Sequence, residues 1–132
     1  MTVNDVYTAA LSILSETPGN SETTASFAPL WVNLLLSECF PAENQVRKMN
    51  NIEILEEIPT VSALTDTIPY QPVFLRPLVY GLASFLYIDD DDDHRSTLFR
   101  NRYIEAVSEA AKALVEPMRC AWEEEEDAES AV

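Results

Sequence analysis

The sequence predicts a mainly α-helical fold: a small antiparallel bundle of about four helices, with an irregular central loop region and a disordered acidic C-terminal tail. Three observations lead there. Apolar residues recur at helical spacing in four separate windows. Between the second and third windows, Pro59, Pro69 and Pro72 punctuate a stretch with too few candidate strands to build a sheet. After Met118 the chain turns to Glu123–Asp127 and then offers little to bury. The division expected is a helical domain over 1–117 and a flexible acidic tail over 118–132.

The first helix is announced by Thr2 with Asp5 three residues later, after which Val3, Val6, Tyr7, Ala10, Leu11 and Leu14 share a face until Pro18 and Gly19. Residues 20–23 are a polar break. In the second window Phe27, Leu30, Trp31, Leu34 and Leu35 lie on one face, and the helix is expected to end near Phe40 and Pro41, with Pro29 either in its first turn or kinking it. Residues 42–51 suit a short exposed helix, 52–58 alternate only in part, and Ser62 to Asp66 suit a helical turn, so 41–72 reads as mostly loop. The third helix carries the widest stripe, Phe74, Leu75, Leu78, Val79, Leu82, Phe85 and Leu86, with Gly81 and Ala83 leaving room for a close neighbour. It stops at the run Asp89, Asp90, Asp91, Asp92 and Asp93. A fourth helix follows with Phe99, Tyr103, Val107, Ala110, Ala111 and Leu114 inward, and Pro117 breaks it.

The 132 residues hold 8 Lys+Arg against 23 Asp+Glu, a net charge of −15, and 47% of them are hydrophobic. That length makes one domain, able to bury roughly two thirds of its unfolded surface. The excess charge repels a phosphate backbone and an anionic membrane unless basic residues are segregated, and no basic patch stands out. Specific nucleic-acid binding is therefore not expected. No apolar run approaches the roughly 18–20 residues that span a bilayer, so no membrane partner is expected and a soluble, intracellular protein is. Cys39 and Cys120 have no CxxC spacing or histidine neighbours, which argues against a zinc site and for reduced thiols, with Cys39 in the core.

Catalytic chemistry finds little foothold. His94 is the single histidine and sits on an exposed turn among aspartates, without an orienting partner nearby in sequence. The aspartate run lacks the interspersed glycine with which specific loops wrap Mg²⁺ or Ca²⁺; a solvated turn that caps the next helix is the expectation. With two glycines, Gly19 and Gly81, neither GxxxxGK[ST] nor GxGxxG can be written. Tyr70, Tyr80, Tyr87, Tyr103 and Trp31 read as packing aromatics rather than a base-stacking platform. Glu53, Glu56 and Glu57 come nearest to a carboxylate constellation, but lie in the least helical stretch. No enzyme, cofactor or metal is expected. Met118 and Trp122, at the edge of the acidic tail, suit either closure of the domain's own core or a partner surface.

The order of segments carries a family resemblance. A short N-terminal helix is followed by Leu34-Leu35-Leu36-Ser37-Glu38-Cys39-Phe40-Pro41 and a polar stretch, then Val61-Ser62-Ala63-Leu64-Thr65-Asp66-Thr67-Ile68-Pro69-Tyr70. Next come Leu78-Val79-Tyr80-Gly81-Leu82-Ala83-Ser84-Phe85-Leu86, the aspartate turn and Phe99-Arg100-Asn101-Arg102-Tyr103-Ile104-Glu105-Ala106. This layout, over residues 1–116, resembles the head-to-tail connector or adaptor proteins of tailed bacteriophages. The resemblance implies a structural virion protein in the head-tail neck, assembled in the host cytoplasm, that self-associates into a ring of about twelve copies and binds the portal protein on one side and the tail or next connector on the other. It implies no active site. It also implies that Tyr80 and Gly81 serve helix packing and that the region from Ile52 to Tyr70 meets neighbouring subunits, giving Ile52, Ile54, Leu55, Ile58, Val61, Leu64 and Tyr70, with Met118 and Trp122, as expected interface residues. Asp89–Asp93 would face the lumen or the rim, where negative charge keeps passing DNA from sticking. The competing class is an acidic DNA-mimicking or protein-binding phage regulator that occupies a basic site on a nuclease or repressor.

Overall fold

Short polar side chains mark the starts of the first and last helices of this chain. A computed structural model describes residues 1–15 and 22–113. Helix α1, Val3–Ile13, starts with a reciprocal cap: the Asp5 N–H donates to Thr2 Oγ1 at 3.2 Å and the Thr2 N–H to Asp5 Oδ2 at 2.9 Å. Its expected face is buried through Val3, Val6, Tyr7, Ala10 and Leu11.

Helix α2, Glu22–Met49, corrects the sequence expectation twice. It does not end near Phe40 and Pro41 but runs through both Pro29 and Pro41 for 28 residues. An internal proline costs a helix roughly 3 kcal/mol. Here the same buried face continues on either side of Pro41, through Ala28, Val32, Leu35, Leu36 and Cys39 and on to Glu43 and Val46, all with no exposed surface. Burial of that length of face outweighs one lost hydrogen bond. The second correction concerns which face is inside. Of the stripe Phe27, Leu30, Trp31, Leu34 and Leu35, only Leu35 is buried; Phe27, Leu30 and Leu34 are 44%, 60% and 56% exposed. Helix α2 carries two apolar stripes, and the one with smaller side chains packs inward.

The end of α2 is a Schellman motif. Asn51 takes a left-handed φ of 57°, its N–H bonds the Lys48 carbonyl, and the Ile52 N–H bonds the Arg47 carbonyl. The central region then runs back along α2 without forming a strand among the described residues. Two asparagines three turns apart hold it there. The Asn44 side-chain amide pairs with both backbone groups of Leu55, at 2.8 and 3.0 Å, and Asn33 does the same with Val61, at 2.7 and 2.8 Å. Each amide supplies one donor and one acceptor, so a single side chain replaces a rung of a missing strand. The region continues through a turn in which Asp66 Oδ2 accepts from the Ser62 and Ala63 N–H groups. Those backbone bonds hold the Asp66 carboxyl below its ordinary value. From there it meets the start of α1: the Val3 and Asn4 N–H groups donate to the Asp66 and Leu64 carbonyls, and the Ile68 N–H to that of Met1. Donors that a helix start leaves unpaired are thereby satisfied.

A 3₁₀ turn, Pro72–Phe74, leads into α3, Leu75–Asp89, which is the most buried helix, as its wide apolar stripe predicts. At Gly81 α3 comes close to its neighbours, since a Cβ built there would stand 2.5 Å from Leu35 Cδ2 and 3.0 Å from Tyr103 Cδ1. Helix α4, Asp93–Ala110, packs antiparallel to α3, with Tyr87 and Tyr80 both against Phe99, Gly81 against Tyr103, and Ser96 Oγ donating to the Ser84 carbonyl at 2.9 Å. The aspartate run is the joint between them. Asp91 ends α3 with φ 57° and its N–H bonds the Ile88 carbonyl, while the Asp92 N–H bonds that of Tyr87. Asp92 also opens α4 by accepting the Arg95 N–H at 3.0 Å. Leu114, Pro117 and the tail over 118–132 lie outside the described residues.

Replacing Asn33 or Asn44 with Ala is expected to cost about 1–2 kcal/mol each, from two lost backbone partners. Hydrogen exchange should accelerate at the Val61 amide in the first variant and at the Leu55 amide in the second; an exposed control, Asn101→Ala, should change neither.

Candidate interaction surface

Two polar clusters, one buried and one at the solvent boundary, each tie elements that are distant in sequence. In the first, Glu43 has no exposed surface and sits one helical turn before Arg47. Its carboxylate accepts the Arg47 Nε–H on one oxygen and the Gln71 N–H, at 2.7 Å, on the other. The remaining Arg47 nitrogens donate to the Glu53 and Pro69 carbonyls at 2.9 and 2.7 Å. One ion pair inside α2 thus holds both ends of the central region. Nearby, the buried Tyr70 hydroxyl donates to the Leu36 carbonyl, and burial pushes its ionisation well above the ordinary phenol range.

In the second cluster Arg100 of α4 reaches Glu38 of α2 through two nitrogens, at 3.1 and 2.7 Å, and the Tyr103 hydroxyl donates to Glu38 Oε1 at 3.3 Å. With that proton committed, the Tyr103 oxygen is left to accept from the Cys39 thiol at 3.4 Å. Burial pushes the Cys39 thiol up to about 11, so it stays protonated at neutral pH and behaves as a small apolar group. The Arg100 hydrogen bonds hold the Glu38 carboxyl below its ordinary value. The first cluster fastens α2 to the central region, and the second fastens α2 to α4.

The residues considered for chemistry are spread apart. Among the described residues no group of three or more His, Cys, Asp or Glu side chains is placed to hold a metal ion. His94 is exposed near the start of α4, and Glu53, Glu56 and Glu57 are exposed on the extended central region. Of the aspartate run, Asp89, Asp90, Asp91 and Asp93 are exposed and Asp92 is half-buried at its cap. No described helix is long and apolar enough to cross a membrane.

The expected interface residues divide. Ile54 and Ile58 are 42% and 45% exposed, and Ile52 and Leu55 are half-buried. Val61 and Tyr70 require correction: at 5% exposure both belong to the core, because Asn33 pins the Val61 backbone to α2 and the Tyr70 ring packs edge-on to Phe74. Leu64 also packs partly against the core. Met118 and Trp122 lie outside the described residues. What the sequence expectation missed is the outer stripe of α2, where Phe27 stacks on Trp31, Trp31 meets Phe85 of α3 at a tilt, and Leu30 and Leu34 are exposed beside them. The signal is present in the spacing 27, 30, 31, 34, but that spacing alone does not tell an outer stripe from a core face. A shallow cleft of about 450 Å³ lies between Arg47 and residues 53–57, and a second of about 490 Å³ lies along the last turns of α2.

Fold and surface together define a small helical protein whose described features are fasteners and exposed apolar side chains. Comparison with known proteins gives no particular identity: no family model, curated protein or solved structure matches the chain.

Glu43→Leu is expected to cost about 3–5 kcal/mol in denaturant unfolding, because it strands the Arg47 charge. The double variant Glu43→Leu/Arg47→Met should lose less than the sum of the two single losses. The Glu38–Arg100 pair has a pH signature of known sign. A depressed carboxyl contributes stability above its ordinary value, 4.5, and that contribution is lost as pH falls through the lower folded value. Glu38→Gln should therefore narrow the stability difference between about pH 6 and about pH 3, by less than about 1 kcal/mol because both partners are substantially exposed.

Proposed function

We propose that the chain is a structural virion protein: a head-to-tail adaptor that forms a ring between the portal and the tail of a tailed bacteriophage and guides DNA passage without catalysing a reaction. The observation that carries the reading is the apolar stripe of Phe27, Leu30 and Leu34 on the outside of α2, exposed among the described residues. Separate exposed residues, Ile54 and Ile58, stand on the central region. Ring subunits that associate head to tail must each present two different surfaces, and these are candidates for them. The segment layout over residues 1–116 resembles the connector proteins, and a net charge of −15 suits a channel wall that must not grip phosphate. In this reading the ring has about twelve copies to match the portal, and the exposed aspartates of 89–93 line its lumen or rim.

Counting this chain against the portal protein by quantitative mass spectrometry of purified particles tests the reading; a ratio near one is expected. Absence from particles despite expression during infection, with one-to-one binding to a basic protein that weakens steeply with salt, would replace it with an acidic regulator. In solution, Leu30→Glu/Leu34→Glu should abolish ring formation by native mass spectrometry while leaving unfolding stability within about 1 kcal/mol, since both side chains lie outside the core.

A further inference from the structure

Three rings line the seam between α3 and α4, and an arginine lies over each. Tyr80 and Tyr87 both meet Phe99, at 5.9 and 5.4 Å between ring centres. Arg76 stands 6.0 Å over Tyr80, Arg102 4.9 Å over Phe99 and Arg95 5.9 Å over Tyr87. A guanidinium that lies on a ring face keeps its in-plane N–H donors for a carboxylate, and its long side chain is already held. Arg76 and Arg102, far apart in sequence, converge on one cleft of about 210 Å³ with Tyr80 and Ala106 in its lining. The ion pairs among the described residues fall on Arg47, Arg95 and Arg100. Glu105 and Glu109 line the α4 side of the cleft, so an incoming carboxylate is welcome only where it reaches the guanidiniums.

A surface of matching character stands on the central region. Glu53, Glu56 and Glu57 are exposed there beside Ile54 and Ile58, which are 42% and 45% exposed. Next to Arg76 in sequence, Val73 and Leu75 are 37% and 39% exposed. Acidic and aliphatic side chains on one face thus have arginine and aliphatic counterparts on the other. The two faces are also well separated. Asn33 and Asn44, which hold the central region, lie roughly 120° around α2 from Glu38 and Gln45, which meet α4. On α4, Arg102 and Glu109 lie roughly 170° from Arg100, which meets α2. The acidic face and the arginine cleft therefore flank the α2–α4 pair on opposite sides, as head-to-tail association requires.

We propose that the Glu53–Ile58 face of one copy docks on the Arg76–Arg102 cleft of a second copy, its carboxylates on the two guanidiniums. The contact rests on the ring proposed above and gives Ile54 and Ile58 their counterpart on the next subunit. In a chain of net charge −15 most faces repel their like, so the ring-held arginines select which faces of two copies meet.

On the full-length chain, Arg76→Glu/Arg102→Glu and, separately, Glu56→Arg/Glu57→Arg should each weaken self-association by about tenfold or more in analytical ultracentrifugation. The neutral pair Arg76→Gln/Arg102→Gln should weaken it in the same direction, and thermal unfolding of each variant checks that it folds. Reversing all four charged residues together restores opposite signs across the contact and leaves the net charge at −15. That variant should return association to within about threefold of the unaltered chain. Association unchanged by either pair of reversals, or not restored by the fourfold reversal, would overturn the contact while the ring stands. A chain that stays monomeric in solution yet counts near one per portal subunit in particles would also overturn the contact alone. Absence from particles would remove the ring and the contact together.

Discussion

The buried pair Glu43–Arg47 is the constraint on which the rest of the molecule depends. A carboxylate without exposed surface is tolerable only if its oxygens are filled, and Glu43 fills them from its own helix and from the Gln71 backbone. The guanidinium then has donors left over, and their carbonyl acceptors come from the two ends of the central region. That requirement explains a 28-residue helix that continues past Pro41: only if α2 extends to Met49 does Arg47 stand on it at all. It also explains how a long irregular segment can be well placed without a sheet. Its backbone groups are met by side chains from α2, at Asn33, Asn44 and Arg47, and by the unpaired donors of α1.

Much of the helical framework was legible in the sequence because it rests on local rules. The Thr2–Asp5 cap, the wide stripe of α3, the tight contact at Gly81 and the antiparallel α3–α4 pair all follow from spacing and size. The failures share one physical cause. Pro41 signals a helix end only in the absence of tertiary burial, and the inner face of α2 is identified only by what packs on it. Two apolar stripes on one helix look alike until the partner side chains are placed. Likewise nothing in the isolated sequence says that Asn33 and Asn44 face the same extended backbone, so Val61 and Tyr70 read as loop residues when they are core. Of the candidate surface, Ile54 and Ile58 were found by their place in the chain, whereas Phe27, Leu30 and Leu34 were hidden by their own regularity.

The polar residues of this protein therefore divide by depth. Inside, Glu43, Arg47, Asn33, Asn44 and Ser96 act as connectors between elements, each with a backbone or ionic partner. Across the α2–α4 seam, Glu38, Arg100 and Tyr103 do the same at the solvent boundary. Outside, exposed acidic side chains such as Asp89, Asp91 and Asp93 belong to a chain in which acidic residues far outnumber basic ones, and like charges on facing surfaces repel.

The aspartate joint also shapes how the chain folds. Helices α3 and α4 are separated by three residues, and Asp91 and Asp92 complete the end of one and the start of the other in consecutive positions. Their contacts are the most local in the molecule, whereas α1 and the central region close loops of some sixty residues through Asp66–Val3 and Ile68–Met1. Local contacts form at the least entropic cost. The α3–α4 hairpin is thus the natural nucleus, and its turn concentrates five like charges within five residues. Screening of that run by salt eases the first structure the chain must make, so folding speeds by as much as stability rises while unfolding is little changed.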